Sequence, residues 1–243
     1  MSFNTEIKKI MTTFLSWDCA YKSIAWTYLT INLNIHDDIN KLCIEFFLHY
    51  DNNIHNPAVI KFLVEYKNIL SQYIIIHDIG VKDILNGAKV NELSEIELTQ
   101  HLSDFLNGSP VPIKPDTHII IEHQPSQVGK SLTNTKSTTV AHQLAYHYIS
   151  KKYKVSFIDP KLKNNIELTD DSRWDTILGG TLSRYKDVKA AKYRARKEHS
   201  KANFLHLLDI FNYTYLIRDI KKSYLDDVAD ATMQIFAHII KSS

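Results

Sequence analysis

Four carboxylates stand where this chain could do chemistry: Asp18, Glu122, Asp227 and Asp230. Glu122 closes the run His118-Ile119-Ile120-Ile121-Glu122, and Pro125 follows shortly after. Consecutive isoleucines are apolar on both faces and β-branched, which suits a short strand in the middle of a sheet. Proline then stops the ladder. An acid ending such a strand lies at the rim of a packed core, where an unpaired carboxylate is costly. Asp18 ends a second apolar run, Ile10 to Trp17, and Asp227 and Asp230 are three apart in a helical pattern, hence neighbours on one side. Each acid alone has an ordinary use as a turn former, surface pair or helix cap. Two neighbouring central strands ending at one edge, with a helix across it, would bring all four together. Such a cleft calls for cations, and hard oxygen donors select Mg²⁺ or Mn²⁺. Two such ions about 4 Å apart activate water and stabilise the leaving oxygen in phosphodiester cleavage.

The positioning elements read as follows. Ile10–Trp17 is a first strand and Ile24–Leu33 a second, joined by a turn short enough for an antiparallel hairpin. Asn34–Gln72 reads as a peripheral insertion, with a possible strand at Leu42–Tyr50 and a helix opened by Pro57. Tyr73–Ile79 is a third strand, Gly80–Lys89 a loop, and Leu93–Leu106 a helix stopped by Asn107-Gly108. The proline-containing segment Ser109–Pro115 leads into the Glu122 strand. Ser137–Ile149 is an amphipathic helix, and Tyr153–Ile158 a fifth strand. Leu225–Ile240 is a helix that buries Val228, Thr232, Ile235, Phe236 and Ile239 and leaves Asp227 and Asp230 on its exposed side. The fold class is α/β, a mixed five-stranded sheet flanked by helices, in a single domain over residues 1–243.

Charge is unevenly placed. The net charge is +2, yet Lys186–Leu205 holds seven bases against Asp187 and Glu198, an excess of five that leaves the rest of the chain at −3. Val188, Ala191, Ala195 and Ala202 make one narrow strip, so this helix can dock by small residues and show bases to phosphates. Several function classes drop out. No run approaches the roughly 18 apolar residues that span a bilayer. Met1–Lys9 has no secretory core, and Cys19 and Cys43 lack metal spacing, so an intracellular, reducing setting is expected. Gly129-Lys130-Ser131 is not a nucleotide-binding loop, because that motif needs glycine where Gln124 stands.

Four stretches together resemble the RuvC-like Holliday-junction resolvases, in the branch found in poxviruses and other large DNA viruses with fungal mitochondrial relatives. They are Phe14-Leu15-Ser16-Trp17-Asp18-Cys19-Ala20-Tyr21-Lys22-Ser23, Ile119-Ile120-Ile121-Glu122-His123-Gln124-Pro125, Val155-Ser156-Phe157-Ile158-Asp159-Pro160-Lys161-Leu162-Lys163, and Asp227-Val228-Ala229-Asp230-Ala231. The second and fourth are the more specific. Asp226 adds a fifth acid beside the helix pair.

The resemblance implies a ribonuclease-H-like fold and a homodimeric endonuclease dependent on Mg²⁺ or Mn²⁺, with two ions per site. Such an enzyme nicks opposing strands of a four-way DNA junction at sites of DNA replication. Asp18, Glu122, Asp227 and Asp230 would hold the ions, and Lys161, Lys163, Lys189, Lys192, Arg196 and Lys197 would hold phosphates. Two alternatives stand beside it: a non-catalytic branched-DNA-binding protein on the same fold, and another ribonuclease-H-like nuclease such as a ribonuclease H or transposase.

Overall fold

The computed structural model describes residues 11–20, 22–32, 74–85, 87–89, 92–108, 111–124, 132–160, 162 and 171–242. Five strands form one sheet: β1 (Met11–Cys19), β2 (Ser23–Asn32), β3 (Ile74–Asp83), β4 (His118–Glu122) and β5 (Lys154–Ile158). Their order is β3-β2-β1-β4-β5, with β1 antiparallel to β2, β2 antiparallel to β3, and β4 parallel to both β1 and β5. This mixed five-stranded sheet, flanked by helices on both faces, is the α/β arrangement expected. β1 is central and buried from Thr13 to Cys19, and β4 is buried throughout.

Side chains alternate across a strand, so the sheet sorts its residues into two cores. Leu15, Trp17 and Cys19 join Ile24, Trp26, Tyr28, Ile119 and Ile121 on one face. There they meet Leu98, Leu102 and Leu106 of α1 (Glu95–Asn107) and Val140, Leu144 and Tyr148 of α2 (Leu132–Ser150). Ser94 and Glu97 close a capping box that starts α1. On the opposite face Phe14, Ala25, Leu29, Ile31, Ile120 and Ile158 pack under α4 (Val188–Ile210) and α5 (Leu225–Ser242). By alternation Ser16, Asp18 and Glu122 belong to this second face.

Several boundaries differ from the sequence reading. β3 continues through Gly80 to Asp83, where a loop was expected. Glycine is needed there for close approach: a Cβ on Gly80 would stand 2.1 Å from the Trp26 ring. That indole Nε1 donates to Asp78 Oδ2 at 2.7 Å. Helix α2 begins at Leu132, earlier than Ser137; the residues between, Thr133 to Lys136, are all polar and give no apolar period to mark the start. α3 (Asp171–Arg184) was not anticipated, its pattern being interrupted by Gly179-Gly180. Val188, expected in the docking strip of the basic helix, is exposed, while Ala191 and Ala195 are buried as read. Phe236 and Ile239 are only partly buried, whereas Val228, Thr232 and Ile235 are fully so. The suggested insertion, with its strand and helix, lies outside the described residues. Among the described residues no helix is long and apolar enough to cross a membrane.

Candidate active site

The strand register places two of the acids. β1 and β4 run parallel with Ser16 beside Ile120 and Trp17 beside Ile121, so the next pair along is Asp18 and Glu122. They share the α5 face at the C-terminal ends of adjoining strands, which lie about 5 Å apart. Both are buried, at 8% and 9% exposure. Cys19 points to the other face, where burial first, and then the fields of Asp18 and Glu122, push its thiol well above the usual range.

Helix α5 supplies the other two by running along the sheet away from this corner. Near its start, Asp227 Oδ2 accepts from Ser23 Oγ at 3.0 Å, tying the first turn to the beginning of β2. Farther on, Thr232 Oγ1 meets Thr27 Oγ1 at 2.6 Å, and Gln234 reaches Ser16 and Glu122. Farther still, His238 stacks edge-on against His118 at 4.7 Å. Asp230 falls between the first of these contacts and the rest, and its Oδ1 accepts from Ser200 Oγ of α4 at 3.1 Å. The helix pair is therefore not exposed as expected: Asp230 is 8% exposed and Asp227 is partly buried. The reason is α4, which packs beside α5 and roofs its acidic side.

The electrostatics follow from this crowding. Burial raises the Asp227 carboxyl; the Ser23 hydrogen bond and Lys197 oppose the rise, while Asp230 and Asp226 add to it. Lys197 feels the reverse. Burial draws its ammonium down, but the fields of Asp230, Tyr193, Asp18 and Asp227 outweigh that and leave it raised. Its Nζ lies 6.0 Å from the Tyr193 ring centroid. Asp226 faces a different pair of bases: Lys201 Nζ at 3.0 Å and an Arg194 guanidinium nitrogen at 3.8 Å.

The basic helix thus carries two stripes at helical spacing. Arg194, Lys197 and Lys201 turn toward the acids of α5. Lys189, Lys192 and Arg196 are exposed. Lys197, read as a phosphate contact along with the exposed bases, keeps company with the carboxylates. Lys161 and Lys163 lie outside the described residues.

Four carboxylates are donors suited in chemistry to a hard divalent cation. In convergence the set falls short: among the described residues no three Asp, Glu, His or Cys side chains gather as a metal-holding group. Sequence reading missed Lys197 as a member of this cluster, and missed Gln234, Ser16, Ser23 and Ser200 as hydrogen-bond partners. One signal was present for Gln234. It stands four residues after Asp230 and seven after Asp227, so it continues their polar stripe.

No family model and no curated protein matches this chain. Among solved structures it is similar to "T. thermophilus RuvC in complex with Holliday junction substrate", with TM-score 0.47 and 6% identity over 95% of this chain and 96% of that one. It is also similar to "Thermus thermophilus RuvC structure", with TM-score 0.45 and 9% identity over 95% of this chain and 97% of that one. At these identities the likeness is one of chain path, and the chemistry of the site rests on its own side chains.

Proposed function

We propose that this protein is a metal-dependent, structure-specific endonuclease that resolves four-way DNA junctions by paired symmetric nicks, acting on branched or concatemeric replication intermediates of a large DNA virus. The observation that carries this reading is the burial of Asp18 and Glu122 at adjoining ends of parallel strands, on the sheet face that α5 covers, beside an exposed basic stripe on α4.

In this reading Asp18, Glu122, Asp227 and Asp230 hold Mg²⁺ or Mn²⁺. Bound there, the ions would activate water and stabilise charge on the leaving oxygen. The water oxygen bonds to phosphorus, the bond from phosphorus to the 3′ oxygen breaks, and that oxygen takes a proton, leaving 5′-phosphate and 3′-hydroxyl ends. Lys197 keeps one positive charge among the acids, which lowers their mutual repulsion and that toward an incoming phosphate. Lys189, Lys192 and Arg196 bind backbone phosphates away from the reacting one, as would Lys161 and Lys163. Two nicks of matching geometry require two such sites, which a homodimer supplies.

A second reading, a non-catalytic branched-DNA-binding protein, draws support from the incomplete convergence of the carboxylates and the presence of Lys197 among them. Incubating a labelled four-way junction with the protein, with and without Mg²⁺ or Mn²⁺, separates the two. Paired nicks that need metal support the nuclease. Junction binding with no cleavage in either metal supports the second reading. Cleavage of an RNA–DNA hybrid in place of the junction would assign another nuclease of this fold.

A further inference from the structure

One side of α4 is covered along its later turns and open along its earlier ones. Ser200, Phe204 and Leu207 share that side at helical spacing. Ser200 bonds Asp230 at 3.1 Å, and Phe204 and Leu207 are buried in the core beneath α5. Seven residues before Ser200 and eleven before Phe204, the same side carries Tyr193. There the cover has ended: Tyr193 is 62% exposed and belongs to neither core of the sheet.

Exposure alone is ordinary for a tyrosine. The surroundings of this one are specific. Lys189 lies four residues before it, Arg196 three after and Lys197 four after, so bases flank the ring along the helix in both directions. Lys197 Nζ stands over the ring, 6.0 Å from its centroid. The same ammonium feels the charges of Asp230, Asp18 and Asp227. The ring therefore sits where the exposed basic stripe meets the acid corner. Nucleic acid with interrupted stacking has the complementary pattern, phosphates along a backbone with flat base faces between them. Inside a continuous duplex those faces are covered, and freeing one costs pairing and stacking energy. At a branch point the stack is already broken.

We propose that Tyr193 is a stacking platform for an unstacked nucleobase at the branch point of DNA, with Lys189 and Arg196 holding the phosphates on either side of it. The proposal rests on the branched-DNA reading, and it applies to the nuclease and to the non-catalytic form alike, since the ring touches no carboxylate. It supplies a discrimination that the bases of α4 lack, because phosphate contacts position DNA without distinguishing one part of it from another. A different use of the ring is support of α4 through its contact with Lys197. That use would show in thermal stability and would be indifferent to the shape of the DNA offered.

The test is equilibrium binding of the full chain, in metal-free buffer at fixed salt, to a four-way junction and to a linear duplex of the same arm sequences. Tyr193→Ala should weaken junction binding by about 5- to 150-fold, the range expected for one lost base stack. Duplex binding and the salt slope should stay as in the parent, since no phosphate contact is removed. Alanine is a strong helix former at an exposed site, so the fold should survive, which thermal unfolding checks. Tyr193→Phe keeps the ring and should keep junction affinity, whereas Tyr193→Leu keeps apolar bulk and should lose it. Abasic residues at the crossover should weaken the parent and leave Tyr193→Ala nearly unaffected. Unchanged junction binding by Tyr193→Ala or Tyr193→Leu, or an equal loss on junction and duplex, overturns the platform and leaves the branched-DNA reading standing. A loss accompanied by a change in oligomeric state would assign the ring to a contact between copies and also overturns it. A parent chain that binds neither DNA overturns both.

Discussion

Ser23 and Asp227 are joined across the sheet–helix boundary, hydroxyl to carboxylate, at 3.0 Å. Ser23 is buried at the first residue of β2, immediately after the hairpin that follows Asp18, so this bond fixes the start of α5 relative to the corner where β1 ends.

Ser23→Ala should therefore destabilise the protein by about 1 kcal/mol, toward the low end of what an abandoned buried acceptor costs because Asp227 keeps some solvent. Denaturant unfolding measures it. Cleavage should fall as well, since the carboxylate loses the donor that holds it. A variant as stable and as active as the parent would mean that Asp227 is placed by α4 alone.

The exposed stripe of α4 invites a salt titration. Lys189→Ala, Lys192→Ala and Arg196→Ala together should weaken junction binding and flatten the slope of log affinity against log salt by up to about 3, one phosphate contact each. Arg194→Ala should leave the slope nearly unchanged, because its guanidinium faces Asp226 and Glu198. Equal effects from the two stripes would contradict the division.

The insertion can be tested through the strand register. Ile31 pairs with Ile74, so the end of β2 and the start of β3 are already side by side. Replacing residues 34–72, expected from the sequence to be a peripheral insertion, by a short turn should leave junction cleavage within about tenfold. A folded deletion that bound junctions and cut none would show that the segment serves the reaction.

The sheet was legible because its signals are local. Although β1 runs on through Asp18 to Cys19, apolar runs such as Phe14–Trp17 and Ile119–Ile121 mark strands without reference to the rest of the chain. So does the spacing of Asp227 and Asp230 on their helix. What stayed hidden depends on which neighbour packs where. Nothing in the stripe Arg194, Lys197, Lys201 says that it faces carboxylates while Lys189, Lys192, Arg196 faces water; the packing of α4 on α5 decides it. Gly80 reads as a strand breaker until the Trp26 ring above it is known. The hydroxyls of Ser16, Ser23 and Ser200 are anonymous in sequence, since serine is common and each partner lies far along the chain.

His118 gives a pH dependence of known sign. It is buried, hydrogen-bonded to Ser156 Oγ at 2.9 Å and edge-to-face with His238. Burial, then the charges of His238 and Lys154, lower it to about 4. A histidine depressed in the folded state stays neutral there while the unfolded chain takes up a proton. Its contribution to stability is thus present above its ordinary value of 6.5 and is lost as pH falls from there toward about 4. Thermal midpoints between pH 7.5 and 4.5 should fall more steeply for the parent than for His118→Asn. Parallel curves would show that other groups govern the acid limb.

The sharpest prediction concerns Glu122. Glu122→Gln preserves side-chain shape and removes the charge, and its new carbonyl oxygen can still accept from Gln234, so the fold should survive. If Glu122 holds a metal ion, cleavage should fall by orders of magnitude while junction binding in Ca²⁺ is kept or tightened, because one negative charge facing the DNA backbone is gone. Asp18→Asn and Asp230→Asn should act alike, and combining them should add little, since residues serving one pair of ions fail as a unit. If these acids instead only form a turn, balance Lys197 or cap α5, each loss should cost about 1 kcal/mol of stability and leave cleavage nearly untouched. Single-turnover cleavage of a four-way junction at saturating Mg²⁺ distinguishes the outcomes. Near-normal cleavage by folded Glu122→Gln would refute the two-ion reading.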